Sequence, residues 1–210
     1  MNVVFDCDGT LISSHQSVLK NLKQLVSEEK GREYTDAEII ATYDADMLTC
    51  AKNFGLDMSN PERIFKRWIE ISRTYPKARA YDGIQDALES LEQRGHRLLV
   101  WTGRDRASTL ELLRLAGILR YFEELVCADD ITPKPHPAGL AKLLDGEVKK
   151  LCVHIGDSYT DIQGAKSYGI ESVGALWGEH ANKAEFKNYE PNYWATHPSE
   201  ILKIVEAKHV

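Results

Sequence analysis

Hydrophobic positions follow two different rhythms along this chain, and the changeover divides it. The first apolar run, Val3-Val4-Phe5, is short and unbroken and predicts a buried strand at about residues 2–6. Between Leu11 and Ala80 no strand-like alternation appears, and the pattern is helical. A helix is predicted from roughly Ser14 to Glu29. Thr35-Asp36-Ala37-Glu38 has the spacing of a capping box and opens a second helix through Phe54. Asn60-Pro61-Glu62 supplies an N-cap and a proline at the first helical position, opening a third helix toward Tyr75. Tyr75-Pro76 and Tyr81-Asp82-Gly83 are turn signals that close the block.

After Gly83, strands and helices alternate. Helices are predicted at 83–94, about 105–116, 136–144 and 159–168, three of them stopped by Gly95, Gly117 and Gly169. Strands are predicted at 97–101, Leu125-Val126-Cys127, 151–155 and 171–176. Asn192-Tyr193-Trp194-Ala195 suits an edge strand before a final helix from Ser199. Repeated strand–helix units imply an α/β fold, a parallel sheet covered on both faces. The first strand belongs to that sheet, so the chain leaves it and returns. The residues alone also allow a separate helical domain, but insertion is the simpler reading.

The 210 residues fit one large domain or a core with a modest insertion, and 43% hydrophobic content excludes disorder. A net charge of −6 argues against nucleic-acid binding but not against one small anionic substrate. Cys7, Cys50, Cys127 and Cys152 are scattered, which suggests neither a zinc knuckle nor a disulfide framework. No apolar run approaches membrane-spanning length, and a strand starting at Asn2 leaves no room for a signal peptide. The expectation is a reduced, cytoplasmic protein. Nothing in the residues fixes its oligomeric state.

Chemistry concentrates where strands are predicted to end. Asp6 and Asp8 leave the first strand on the same side, and Gly9 lets the chain turn away. Two acids that close need a cation or a shared proton, and oxygen ligands at a strand end suit Mg²⁺. The strand 151–155 is followed by Gly156-Asp157, with Asp161 four residues on. Strand 97–101 ends in Thr102-Gly103-Arg104, and Lys134 lies between prolines in Pro133-Lys134-Pro135-His136-Pro137. Four acids, a hydroxyl and a lysine form an inventory for a metal and a phosphoryl group.

In order and spacing these segments resemble the haloacid dehalogenase superfamily, in its capped, phosphoglycolate-phosphatase-like branch. Asp6-Cys7-Asp8-Gly9-Thr10-Leu11, Thr102, Lys134-Pro135-His136-Pro137 and Gly156-Asp157-Ser158-x-x-Asp161 match its four motifs. The resemblance implies a Rossmann-like, doubly wound parallel sheet formed by residues 1–13 and 81–210, with residues 14–80 as a small all-helical cap. It implies that Asp6 is a nucleophile forming an aspartyl-phosphate, and that Asp8 is the acid and then the base. Mg²⁺ would be held by Asp6, Asp157 and the Asp8 backbone carbonyl. Cys7, Thr102, Gly103 at a helix start, and Lys134 would bind phosphate. Asp161 would support the site from behind or pair with Lys134, and Ser158 would cap its helix.

The implied activity is Mg²⁺-dependent hydrolysis of a small phosphorylated metabolite, with phosphoglycolate the leading candidate. A phosphotransferase such as a phosphomutase is the enzymatic alternative, and a non-catalytic phospho-binding module is a third. Arg104 is expected to be solvated, and His136 to sit at a helix start. Helical periodicity does not decide which of Tyr43, Arg63, Lys66, Arg67 and Trp68 in the inserted block choose the substrate.

Overall fold

The computed structural model describes residues 1–44, 47–72, 79–178 and 181–207. The chain opens with β1 (Asn2–Phe5) and β2 (Ile12–Ser13), followed by helices α1 (His15–Lys30), α2 (Asp36–Thr42), α3 (Met47–Asn53) and α4 (Pro61–Ser72). It continues with β3 (Arg79–Ala80), α5 (Ile84–Gln93), β4 (Arg97–Trp101), α6 (Arg106–Leu115) and β5 (Glu124–Val126). Last come α7 (Ala138–Leu143), β6 (Cys152–Gly156), α8 (Tyr159–Tyr168), β7 (Glu171–Ala175), β8 (Tyr193–Ala195) and α9 (Glu200–Ala207).

Strand β1 is buried at every position because it lies inside the sheet with both faces covered. Among the described residues the main sheet has six strands in the order β5-β4-β1-β6-β7-β8, all paired in parallel. From β1 the chain fills one side with β4 and β5 and the other with β6, β7 and β8. The order reverses at β1, so the crevice outside its carboxyl end is the expected ligand position. Helices cover both faces. Val4, Leu99, Trp101 and Val126 pack with Leu140 of α7 and Ala165 of α8. By the two-residue period of a strand, Val3, Phe5, Leu98 and Val100 point to the opposite face, and all four are buried.

Backbone proximity divides the chain into Met1–Ser13 with Arg79–Val210, and Ser14–Ala78. The second unit is helical and has its own core, which includes Leu22, Leu25, Val26, Ile39, Ile64 and Ile71. Its N-terminal signals act as the sequence predicts. Thr35 and Glu38 form the capping box, and the Asn60 side chain accepts from the Arg63 N–H at 3.1 Å, ahead of Pro61.

Two expectations need correction. The second helix does not run unbroken to Phe54: it ends at Thr42, where Tyr43 turns to ψ 143°, and α3 follows. The Tyr43 ring packs edge-on against His15, with centroids 5.9 Å apart, and against the helical core. That packing outweighs the modest helix preference of Thr42, Tyr43 and Asp44. The stretch from Leu11 to Ala80 is also not purely helical, since β2 and β3 form a two-residue antiparallel ribbon. Strands that short show no periodicity. The predicted turn at Tyr75-Pro76 and the end of the third helix lie outside the described residues.

Candidate active site

The motifs meet at the switch point because the strand register brings them there. Phe5 pairs with Val100 on one side and Ile155 on the other, so Asp6, Thr102 and Asp157 emerge from three adjacent strand ends. The Asp6 N–H donates to the Ile155 carbonyl at 2.8 Å, which carries the alignment one residue past β1. Carboxylate oxygens of Asp6, Asp157 and Asp161 all lie within 4.8 Å of one another. Gly9, at φ 78°, is required beside them: a Cβ there would lie 2.0 Å from Asp157 Oδ2. Gly156 is required too, since its Cβ would lie 2.2 Å from Asp161 Cγ.

These carboxylates are unequally served. Asp161 faces Lys134 Nζ at 2.5 Å and His154 Nε2 at 3.0 Å, and accepts from Ser158 N and Oγ at 3.1 and 2.7 Å. Burial alone would raise its pKa, but the Lys134 charge and the His154 bond hold it well below the usual carboxylate range. Asp6 accepts from Lys134 Nζ at 2.6 Å. Burial still wins there over Lys134, and with Asp161 adding repulsion the pKa is pushed up to about 7. The only side-chain donor to Asp157 among the described residues is the Thr10 hydroxyl, at 3.5 Å. Burial, then Asp6 and Asp161, push Asp157 well above the ordinary value. Lys134, 6% exposed, sits against two acids that raise its pKa more than burial lowers it. It stays charged.

Such a donor set fits a divalent cation. Asp157 is a carboxylate with no basic side chain bonded to it, beside a half-compensated Asp6, and both offer the hard oxygens that Mg²⁺ takes. Asp161 is already saturated. The neighbouring group Cys127, Asp129 and Asp130 is different, because Arg106 pairs with Asp130 at 2.5 Å and the Cys127 thiol, raised by burial to about 11, stays protonated.

Other residues depart from expectation. Thr102 is buried and its hydroxyl accepts from the Arg104 N–H at 3.1 Å, while Asp105 caps α6 by accepting from the Ser108 N–H at 3.1 Å. Gly103 is therefore in a loop ahead of the helix rather than at its start. Cys7 is fully buried, and its carbonyl accepts from the Leu11 and Ile12 N–H groups, each at 2.9 Å. Arg104 is not solvated: its side chain is 11% exposed and grips Asp8 with two bonds, Nε to Oδ2 at 2.9 Å and Nη2 to Oδ1 at 2.7 Å. In the helical unit Arg63 pairs with Glu29 and Arg67 with Glu28 and Glu70, while Tyr43 and Trp68 pack on its core.

Two contributors carry weak signals in the sequence. His154 is a lone histidine on an apolar strand, fully buried, with Nδ1 3.1 Å from the Val4 carbonyl and Nε2 on Asp161. It fixes the carboxylate that fixes Lys134, although burial pulls its pKa below the usual value. Trp177 donates from Nε1 to the Thr10 carbonyl at 2.9 Å, tying down the loop that carries Asp8 and Gly9.

A family model for haloacid dehalogenase-like hydrolases matches residues 3–175. The chain belongs to that family. It is therefore a hydrolase, and the non-catalytic reading falls. The pyrophosphatase PpaX of Bacillus pumilus is 27% identical over 214 residues, spanning 98% of this chain and 96% of its own. PpaX of Halalkalibacterium halodurans is 25% identical over 219 residues, spanning 98% and 97%. The fold agrees with a crystal structure from Lactobacillus plantarum provisionally called a phosphoglycolate phosphatase (TM-score 0.86, 21% identity, 97% and 98% of the two chains). It agrees also with a haloacid dehalogenase-like family hydrolase of Streptococcus pneumoniae (TM-score 0.80, 23% identity, 97% of each chain).

Proposed function

We propose that the protein is a Mg²⁺-dependent phosphatase that hydrolyses a small phosphorylated metabolite through a phosphorylated Asp6. The observation that carries this reading is the unequal service of the three clustered acids. Asp161 is held by Lys134, His154 and Ser158, whereas Asp6 and Asp157 retain oxygens for a cation. Those two, with the Asp8 backbone carbonyl, would hold Mg²⁺. When bound, it supplies positive charge that lets an anionic carboxylate approach an anionic phosphoryl group.

An Asp6 oxygen then attacks phosphorus, forming an O–P bond as the bond to the leaving oxygen breaks. Asp8 gives a proton to the leaving oxygen and later takes one from the water that hydrolyses the acyl phosphate. The Thr102 hydroxyl and Lys134 Nζ hold the phosphoryl oxygens. Asp161 and His154 position Lys134 rather than touch substrate. The helical unit is assigned the role of a cap that chooses among leaving groups. Arg63 and Arg67 are each paired within that unit, Arg63 with Glu29 and Arg67 with Glu28 and Glu70.

Phosphoglycolate is the first candidate substrate. Inorganic pyrophosphate is the second, on the strength of the two relatives named as pyrophosphatases. The test is hydrolysis of p-nitrophenyl phosphate with and without Mg²⁺, followed by a panel of phosphorylated metabolites that includes both candidates. Full activity in excess chelator would overturn the reading.

A further inference from the structure

We infer that Arg104 selects substrates with a second anionic group on the leaving side of the scissile bond, by exchanging its grip on Asp8 for that group. The inference rests on the phosphatase reading above and adds the class of leaving group.

Arg104 is built in rather than draped on the surface. Its backbone N–H donates to Thr102 Oγ1 at 3.1 Å and its carbonyl accepts from the Ala128 N–H at 3.0 Å, so its anchor is locked beside the phosphate-binding hydroxyl. The guanidinium is directed at Asp8, the group assigned to the leaving oxygen, and holds both carboxylate oxygens. A guanidinium fork matches a carboxylate and a phosphate in the same geometry. The place now taken by the Asp8 oxygens is thus an anion position next to the reacting centre. Asp8 is 28% exposed, so a solute can reach that position.

Exchange is selective because of what it leaves behind. While gripped, Asp8 has both oxygens committed and is not available to the leaving oxygen. A substrate whose leaving group is a neutral alcohol offers nothing to replace Asp8, and releasing it strands a nearly buried guanidinium without a bonded counter-charge. A leaving group bearing a carboxylate or phosphate supplies that counter-charge and frees Asp8. Phosphoglycolate and pyrophosphate share this chemistry, one through a carboxylate and the other through a phosphate, whereas glycerol 3-phosphate lacks it.

The experiment compares wild type, Arg104→Gln and Arg104→Lys on phosphoglycolate, pyrophosphate, glycerol 3-phosphate and p-nitrophenyl phosphate. Arg104→Gln should lower kcat/KM for at least one anionic-leaving-group substrate relative to glycerol 3-phosphate by about 30-fold or more. Arg104→Lys, which keeps the charge but loses the fork, should recover only part of that ratio. Which of the two substrates is affected tells a carboxylate from a phosphate preference. Calorimetric titration of the same ligands into Asp6→Asn and into the Asp6→Asn, Arg104→Gln double variant should show the same selective loss without turnover. Equal losses on all four substrates would mean that Arg104 only holds Asp8, and unchanged ratios would mean that it does nothing selective; either overturns the inference. Wild-type turnover of any of the four substrates tests the phosphatase reading separately. Its absence sinks both, while its presence with unchanged Arg104→Gln ratios sinks only this one.

Discussion

Both units of this protein hold acids against bases on their surfaces, but among the described residues only the sheet unit also buries such pairs. In the helical unit the pairs lie on the surface: Lys23 with Asp36, Arg32 with Glu38, Arg63 with Glu29 and Arg67 with Glu28. In the sheet unit the pairs at the strand ends are withdrawn from water. Lys134 is 6% exposed, and its partners Asp6 and Asp161 are 9% and 1% exposed. Surface pairs gain little, because water and salt already solvate and screen each charge. Buried charges cost desolvation and hold only where their partners are well placed. The sheet unit carries that cost at the candidate site, where the proposed chemistry needs fixed charge. The helical unit has no such site among its described residues, and its stability comes from the apolar core beneath the pairs.

The largest expected effect comes from removing the charge that reacts. Asp6→Asn keeps the size and turn geometry but cannot attack phosphorus, so kcat should fall by about 10³-fold or more. The metal-free variant should melt no lower than wild type, because Asn removes a charge whose burial, with repulsion from Asp161 and Asp8, outweighs its pairing with Lys134. Near-normal turnover would sink the aspartyl-phosphate route. Next in size is Lys134→Met, which leaves Asp6 and Asp161 buried without their cation. Denaturant titration should show a loss of about 3 kcal/mol, and kcat/KM should fall alike for every ester, since each presents the same phosphoryl group. Substrate-selective losses would contradict its role.

The difference between the two settings also explains what the sequence could show. β1, β4 and β6 are apolar runs, and the acids that follow β1 and β6 are visible because a buried parallel strand must end before a charge can begin. Asp6 and Asp157 are legible on that logic, and Lys134 through the prolines on either side of it. Arg104 is not: three residues past a strand it looks like any surface arginine, and its burial depends on Asp8, 96 positions away. His154 hides for the same reason, because a polar residue within an apolar strand carries no sign of what it faces. The link from Trp177 to Thr10 spans 167 positions, and no local pattern reports it. In the helical unit the caps were legible, since a capping box is complete within four residues. The break at Tyr43 was not, because packing on His15 and the core decides it.

A smaller and sharper test uses pH. Asp6 has a folded pKa near 7 against 3.8 for a free side chain, so the folded, metal-free protein holds a proton that the unfolded chain releases. The stability this group contributes is present below about pH 4 and is lost as pH rises through 7. Asp157 is shifted in the same direction. Mg²⁺ takes the place of these protons, so the Tm increase it produces should be larger at pH 8 than at pH 6. His154 works the opposite way, its lowered pKa favouring the folded state as pH rises toward 6.5. The difference between metal-loaded and metal-free samples at one pH reduces that contribution, and Asp6→Asn should weaken the pH dependence that remains. A Mg²⁺ shift independent of pH, or a larger one at pH 6, would count against a site built on Asp6 and Asp157.

The smallest expected effect belongs to the surface pairs. Arg67 bonds Glu28 through Nε and Nη2 and Glu70 through Nη1, a well-formed network by geometry alone. Its setting is the reason to expect little from it. The guanidinium is about as open to water as its partners, so each loses little hydration on pairing and regains it on separation. Arg67→Ala should therefore move Tm by less than about 3 °C, and 0.5 M salt should shrink that difference further. Because Arg67 is engaged within its own unit, the ranking of phosphate esters by kcat/KM should also be kept. A Tm loss comparable to that of Lys134→Met would mean that the helical unit depends on its charges as the sheet unit does. A changed ranking with unchanged Tm would return Arg67 to the residues that choose the substrate.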